Sequence, residues 1–494
     1  MRIPLDRRSG VPLYRQIETY LRQEILSGGL AAETRLPASR QLAQELGVSR
    51  ITVKNAYAEL ESDGLVASRQ GSGTYVSPVF SPTSPRQAEA TWPLWQQEAA
   101  DENESVFSNA IYPPLPDDQN MHPAPICFTG VGDPRQFPVK DFLKAIQAVV
   151  RRDGVEALEY GKFGSGFQPL RQTIAHVLAS QGVHTHPDQV LITSGSQQAL
   201  ALVCQALLKP GDTILVESPT YNLALELFRA SGLKIAGIPV DEHGMQVELL
   251  ERLLQQYHPK LIYTIPNFHN PTGTCLSGAR RRALLELARC YNVPILEDDY
   301  AGDLRYDGRA QPAITALDPS GGVIYAGTFS KMLMPGLRLG FLLADGPVFR
   351  RLLYGKWVND LTTSTLIQRT LDEYVTVGRY QAHLRRSCRI NRVRRDAMLA
   401  AMRRYLPQEV HYDVPQGGLY IWLRLPAGMS ALELLPLALK AGVEFTPGSW
   451  FFPVPAEGAP YLRLNFATQP PDRIEEGIRR LGAVMKVQIK RLQD

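Results

Sequence analysis

The chain has 494 residues, too many for one ordinary domain, so two or three are expected. Its 44% hydrophobic and 21% charged residues are an ordinary globular composition, and a net charge of +4 permits a nucleic-acid partner without arguing for one. No segment approaches the ~20 continuous apolar residues of a membrane span, and "MRIPLDRRSG" holds no signal-peptide core. Cys127, Cys204, Cys275, Cys290 and Cys388 are scattered without C-x-x-C spacing, so the expectation is a cytoplasmic protein with reduced thiols and no metal site.

In chain order, Leu13, Ile17, Leu21 and Ile25 recur at helical spacing, and Gly28-Gly29 stops that helix. Ser39 is expected to cap a second helix bearing Leu42 and Leu46, and Gly47 allows a tight turn. Ser49 then caps a third helix whose Val53, Ala56, Tyr57 and Leu60 share one face, ended by Asp63-Gly64. Two short helices joined by a glycine turn make a helix-turn-helix, and "LVASRQGSGTYV" reads as the two strands of a wing. Arg50, Thr52, Lys54 and Asn55 flank or oppose the apolar face near the N-terminal end, which enters the major groove in this motif. Arg40, Arg69 and the backbone N–H groups of Gly71 to Gly73 could hold phosphates. Residues 1–78 carry ten basic and eight acidic side chains, so charge alone leaves a plain three-helix interaction module open.

The segments "VPLYRQIETYLRQEILSG", "LPASRQLAQELGVSRITVKNAYAELESDGLV" and "GSGTYV" closely resemble the winged helix of GntR-type bacterial transcription regulators. The resemblance implies DNA binding through Arg40, Ser49, Arg50, Thr52, Lys54, Asn55, Arg69, Gly71 and Gly73.

Prolines crowd residues 78–125 around an acidic "DENE", which predicts a semi-rigid linker between a unit at 1–77 and one at 126–494. The larger unit alternates apolar strand-like runs with helical stretches, the pattern of a mainly parallel α/β sheet. "VLITSGSQQALALVCQALL" reads as strand, small-residue turn and helix, with Ser196 and Gln197 at a helix N-terminus that favours an anion. "TILVESPTYN" is a strand leading to Tyr221, and "LIYTIPNFHNPTGT" sets Asn270 in a rigid turn. "VPILEDDY" ends in Asp298, Asp299 and Tyr300, where a carboxylate could hold a protonated pyridine nitrogen. In "GTFSKMLMPGLRLGF", Lys331 has the apolar surroundings that make a lysine nucleophilic toward aldehydes, and Arg338 can clamp a phosphate. A phosphate cradle, a ring stacker, ring anchors, a reactive lysine and a phosphate arginine together describe a pyridoxal 5′-phosphate (PLP) site.

The large unit resembles fold-type I aminotransferases of the class I/II group, with a smaller C-terminal α+β subdomain. The resemblance implies that Lys331 forms the Schiff base with PLP and Asp298 pairs with the pyridine nitrogen. Asn270 and Tyr300 would bond the ring's phenolic oxygen, Tyr221 would stack, and Ser196, Gln197, Thr328, Ser330 and Arg338 would hold the phosphate. It further implies that Arg463 in "YLRLNFA" takes a substrate α-carboxylate, and that Tyr160 reaches the phosphate of a neighbouring subunit.

The whole order resembles the MocR subfamily of transcription regulators, which implies a head-to-tail homodimer on operator DNA. PLP would then be a sensor at which an amino-compound effector displaces Lys331 by aldimine exchange, or the signal itself. Leu223 stands where the GABA-responsive member has an effector-binding arginine, so GABA is not expected as effector. An active aminotransferase with a DNA-binding appendage and a cofactor-free repressor remain as alternatives. The basic run Arg379–Tyr405 reads as a solvated helix face or as a DNA-backbone contact through Arg385, Arg386 and Arg389.

Overall fold

In the computed structural model the residues described are 3–7, 9–69, 71–77, 125–130, 132–161 and 164–493. The expected linker, apart from its last residue, lies outside them. Two compact units emerge, Met1–Asn109 and Ala110–Asp494.

The first unit packs α1 (Leu13–Leu26), α2 (Ser39–Leu46) and α3 (Arg50–Ser62) against a hairpin of β1 (Val66–Arg69) and β2 (Gly73–Val76). Ile17, Leu21 and Ile25 of α1, Leu42 of α2, and Val53, Ala56, Tyr57 and Leu60 of α3 are buried in one core. The helical spacing read from the sequence therefore marks the faces that pack. Ser49 caps α3, its Oγ accepting the Thr52 N–H at 3.1 Å. Ser39 is the exception: it begins α2, the cap position belongs to Ala38, and no side chain caps that end. Gly47 takes the left-handed φ of +62° needed to turn from α2 toward α3.

The second unit opens with the short β3 (Ile126–Cys127) and is built on an eight-stranded sheet. Its strands are β4 (Val190–Thr193), β5 (Thr213–Ser218), β6 (Lys234–Asp241), β7 (Gly244–Met245), β8 (Leu261–Thr264), β9 (Ile295–Asp299), β10 (Val323–Thr328) and β11 (Gly340–Leu343). Their order is 4-11-10-9-8-5-6-7, with only β11 and the edge strand β7 antiparallel to their neighbours. Every residue of β4, β8, β10 and β11 is buried, which explains their unbroken apolar runs: helices cover both faces of a parallel sheet. A smaller antiparallel sheet orders β12 (His411–Tyr412), β13 (Tyr420–Arg424), β15 (Thr446–Pro447) and β16 (Tyr461–Asn465) as 12-13-16-15. The short β14 (Val443–Glu444) pairs in parallel with β3.

The basic run is one helix, Arg379–Tyr405, but it is not basic for one reason. Arg394 and Arg395 are buried: Arg394 donates to Asp133 and to the Ala467 carbonyl, and Arg395 donates to Asp307, Asp396 and the Pro415 carbonyl. Arg385, Arg386 and Arg389 are exposed.

Candidate functional site

Open α/β sheets bind ligands at the carboxyl ends of their parallel strands. Here Ser196, Tyr221, Asn270, Asp298 and Lys331 follow or end β4, β5, β8, β9 and β10, so the topology gathers at one edge residues spread over more than 130 positions.

An anion cradle forms first. After β4 the chain turns at Gly195, whose φ is +98°, into the helix Ser196–Leu207. That φ strains any side chain, and a Cβ there would lie 2.9 Å from Nη2 of Arg338, so glycine leaves the guanidinium its place over the helix start. Arg338 stands in a left-handed conformation and donates to the Ser194 carbonyl at 3.1 Å. Gly340 is equally constrained, since a Cβ there would lie 3.0 Å from the Ser196 nitrogen. Free N–H groups of a first helical turn, a guanidinium and nearby hydroxyls make a ready anion site. Thr328 Oγ1 accepts the Ser330 N–H at 3.2 Å, while the buried Ser330 Oγ and Gln197 Oε1 have no partner among the described residues. Gln197 donates through Nε2 to the Leu223 carbonyl at 3.1 Å.

Beside this cradle, titratable groups lie close enough to shift one another. Burial pushes the Lys331 ammonium down to about 8, helped by the positive charges of Arg463 and Arg338 and opposed by Asp298. Burial pushes the Asp298 carboxyl up to about 7, against the hydroxyl of Tyr263, which donates to Oδ2 at 2.8 Å. Asp298 Oδ1 is buried without a partner among the described residues. Tyr221 is half-buried, and desolvation raises its hydroxyl with the Asp298 charge as the next cause.

Arg463 reaches in from β16 on the smaller sheet. Its Nη1 donates to Asn270 Oδ1 at 2.7 Å and its Nη2 to Thr446 Oγ1 at 3.3 Å, while Nε has no partner among the described residues. The guanidinium lies 4.1 Å from the Tyr420 ring centroid and 4.7 Å from that of Phe451. Aromatic faces thus stabilise a buried cation that has no ion pair with a carboxylate among the described residues. Tyr300 differs from its expected use in one respect: its hydroxyl proton goes to the Phe268 carbonyl at 2.6 Å, leaving the oxygen lone pairs as acceptors. Tyr160 is 68% exposed and lines a different cleft, with Phe167, Thr365 and Arg369.

Residues that the sequence did not single out support this edge. Tyr263 holds Asp298 but reads in "LIYT" as ordinary strand core. Asp360 accepts from Ser194 Oγ at 3.0 Å and from Gln198 Nε2 at 2.8 Å, and is ion-paired to the buried Lys356, which braces the cradle from behind. No local pattern announces a partner more than 150 positions away.

On the first unit, Arg40, Arg50, Lys54 and Asn55 are exposed. Thr52 Oγ1 lies 2.8 Å from Ser49 Oγ, so those two hydroxyls serve the helix cap. Arg69 pairs with Glu33 at 2.5 Å and lies 4.6 Å from the Tyr75 ring centroid. Gly71 and Gly73 take positive φ of 75° and 125° at the wing tip.

Residues 129–481 match the family of class I and II aminotransferases, and residues 13–76 match the GntR family of bacterial regulatory proteins. The chain is 35% identical over 478 residues to the uncharacterized HTH-type transcriptional regulator YisV of Bacillus subtilis, covering 96% of each. It is 33% identical over 488 residues to the probable rhizopine catabolism regulatory protein MocR of Rhizobium meliloti, covering 97% of this chain and 94% of that one. Among solved structures, α-aminoadipate aminotransferase LysN of Thermus thermophilus, complexed with N-(5′-phosphopyridoxyl)-L-leucine, superposes with a TM-score of 0.72. That match has 34% identity and covers 80% of this chain and 99% of LysN.

Proposed function

This chain belongs to the MocR subfamily, a GntR-type winged helix joined to a class I and II aminotransferase fold, and from that we propose a PLP-dependent DNA-binding transcription regulator. The single observation that carries the cofactor reading is Asp298 Oδ1, buried without a partner among the described residues and close enough for its carboxylate to act on the desolvated Lys331. A buried carboxylate oxygen without a partner is costly unless a ligand supplies one. A protonated pyridine nitrogen meets that need, and the orphaned Ser330 Oγ and the Arg338 guanidinium suit its phosphate.

When bound, PLP supplies a carbonyl that combines reversibly with primary amines, beside an electron-withdrawing ring. Lys331, with its pKa near 8, holds an amine that is partly neutral near neutral pH. Asp298 would accept the hydrogen bond of the ring nitrogen, and its negative charge would keep the proton there. Tyr221 would cover the ring face, Asn270 and Tyr300 would contact the ring oxygen, and Ser196, Gln197, Thr328, Ser330 and Arg338 would hold the phosphate. Arg463, a buried cation without an ion pair among the described residues, would take the carboxylate of an amine effector as a bidentate fork. Tyr160, exposed at the surface, would reach the phosphate of the partner in a head-to-tail dimer. Leu223 offers no charge where the GABA-responsive member of the subfamily has an arginine, which disfavours GABA as the effector. The effector acts on DNA binding only through its different affinity for two states of the protein.

The test is a titration of the PLP-loaded full chain with carboxylate-bearing amines, read by cofactor absorbance and by operator mobility in the same samples. An amine that shifts both supports the reading, and a shift at low millimolar GABA overturns the effector class. The complete set of Lys331, Asp298 and Arg463 favours one other reading, an aminotransferase that also binds DNA. Multiple-turnover transfer to 2-oxo acids at ~1 per second would establish it.

A further inference from the structure

The face of α3 turned away from the core contains a residue outside the polar set. Val53, Ala56, Tyr57 and Leu60 are buried, so helical periodicity turns Ile51 and Asn55 outward along one ridge, four residues apart. Ile51 is 69% exposed, and Asn55 is exposed beside it. A lone exposed aliphatic side chain needs no explanation elsewhere on a surface. This one sits one residue into a helix whose N-terminus Ser49 and Thr52 lock by the cap bond and the hydroxyl pair. Arg50 and Lys54 are exposed alongside the ridge, as cations that suit phosphates or guanine edges.

On the proposed DNA-binding reading, we infer that Ile51 and Asn55 read base identity, and that Ile51 does so by covering the C5-methyl group of a thymine. The major groove offers two features that match this pair. Thymine presents a methyl to apolar side chains, and adenine presents N6–H and N7 to the two-pronged amide of Asn or Gln. Four residues of helix rise about 6 Å, close to two base-pair steps of ~3.4 Å each. Ile51 and Asn55 therefore address positions one or two base pairs apart, a thymine and an adenine within one half-site. Thr52, whose hydroxyl meets that of Ser49, helps to fix the start of the helix that carries the pair.

The experiment enriches duplexes from a random pool with the full-length, PLP-loaded chain and with its Ile51→Ala, Ile51→Val and Asn55→Ala variants. The wild type should enrich a half-site in which Ile51→Ala loses one thymine preference and Ile51→Val keeps it. Asn55→Ala should lose an adenine preference one or two base pairs away. Uracil in place of that thymine should weaken the wild type about fourfold, the loss of one buried methyl, and leave Ile51→Ala unchanged. Identical preferences in wild type and Ile51→Ala overturn the inference, as does an equal uracil effect on both. A changed oligomeric state in Ile51→Ala also overturns it, because Ile51 would then belong to a protein contact. If the wild type enriches no sequence at all, the DNA-binding reading itself fails.

Discussion

The two candidate sites are made in opposite ways. On α3 the functional side chains are exposed, and each stands on local helix geometry fixed by its neighbours in sequence. Around Lys331 the buried groups set one another's state: Asp298 opposes the depression of the lysine, and the buried Arg463 and the exposed Arg338 deepen it. Exposed groups in high dielectric act nearly independently and are screened by salt. Buried groups couple, so their energetics follow pH and occupancy more than ionic strength.

The sharpest way to break that contrast is Lys331→Ala. It should abolish the effector response and the cofactor absorbance change while operator binding survives, measured by absorbance and mobility shift together. A variant that still responds to its effector would defeat the account. Next comes Arg338→Ala, which removes the cation closing the cradle over Gly195. Cofactor retention should fall about a hundredfold, as for loss of charge-assisted bonds, measured by equilibrium dialysis of the full chain.

A pH comparison probes the coupling directly. In the cofactor-free protein, Lys331 titrates near 8 when folded and at 10.5 when unfolded. Below pH 8 the folded state carries a buried ammonium and is destabilised by roughly 3 kcal/mol. Between 8 and 10.5 the unfolded state holds more protons, so this cost disappears as pH rises. The stability advantage of cofactor-free Lys331→Met over wild type should therefore be largest below pH 8 and shrink toward 10.5, followed by denaturant unfolding. Asp298 has the opposite sign: its cost arises as pH climbs from 3.8 to about 7, and Asp298→Asn should remove it.

Smaller effects belong to the exposed region. Arg50→Ala or Lys54→Ala should weaken operator binding across sequences and lower the salt slope by about one each. If the exposed arginines of that helix are a solvated face, replacing Arg385, Arg386 and Arg389 by Glu should leave operator affinity within about twofold. A flattened salt dependence in that triple variant would instead make the helix part of the DNA footprint.

Much of both regions was legible in the sequence, for local reasons. The helical spacing of Val53, Ala56, Tyr57 and Leu60 marks their shared face, and a serine before α3 marks its cap. The unbroken apolar runs of β4, β8 and β10 mark a covered parallel sheet, with the chemistry just past their ends. The Ser39 cap was misread because a serine at a helix start resembles a serine just before one, and only backbone geometry separates them.

The sequence by itself thus determined the helix faces that pack in the first unit, the covered runs of the parallel sheet, and which residues a cofactor reading calls upon. Periodicity and residue chemistry are properties of neighbours in the chain. Tertiary structure alone decided that Tyr263 holds Asp298, that Gly195 admits Arg338, and that Arg394 and Arg395 are internal ion-pair partners within a helix that reads as uniformly basic. These depend on the strand order 4-11-10-9-8-5-6-7 and on which charges burial desolvates. Both are set by contacts between residues far apart in sequence.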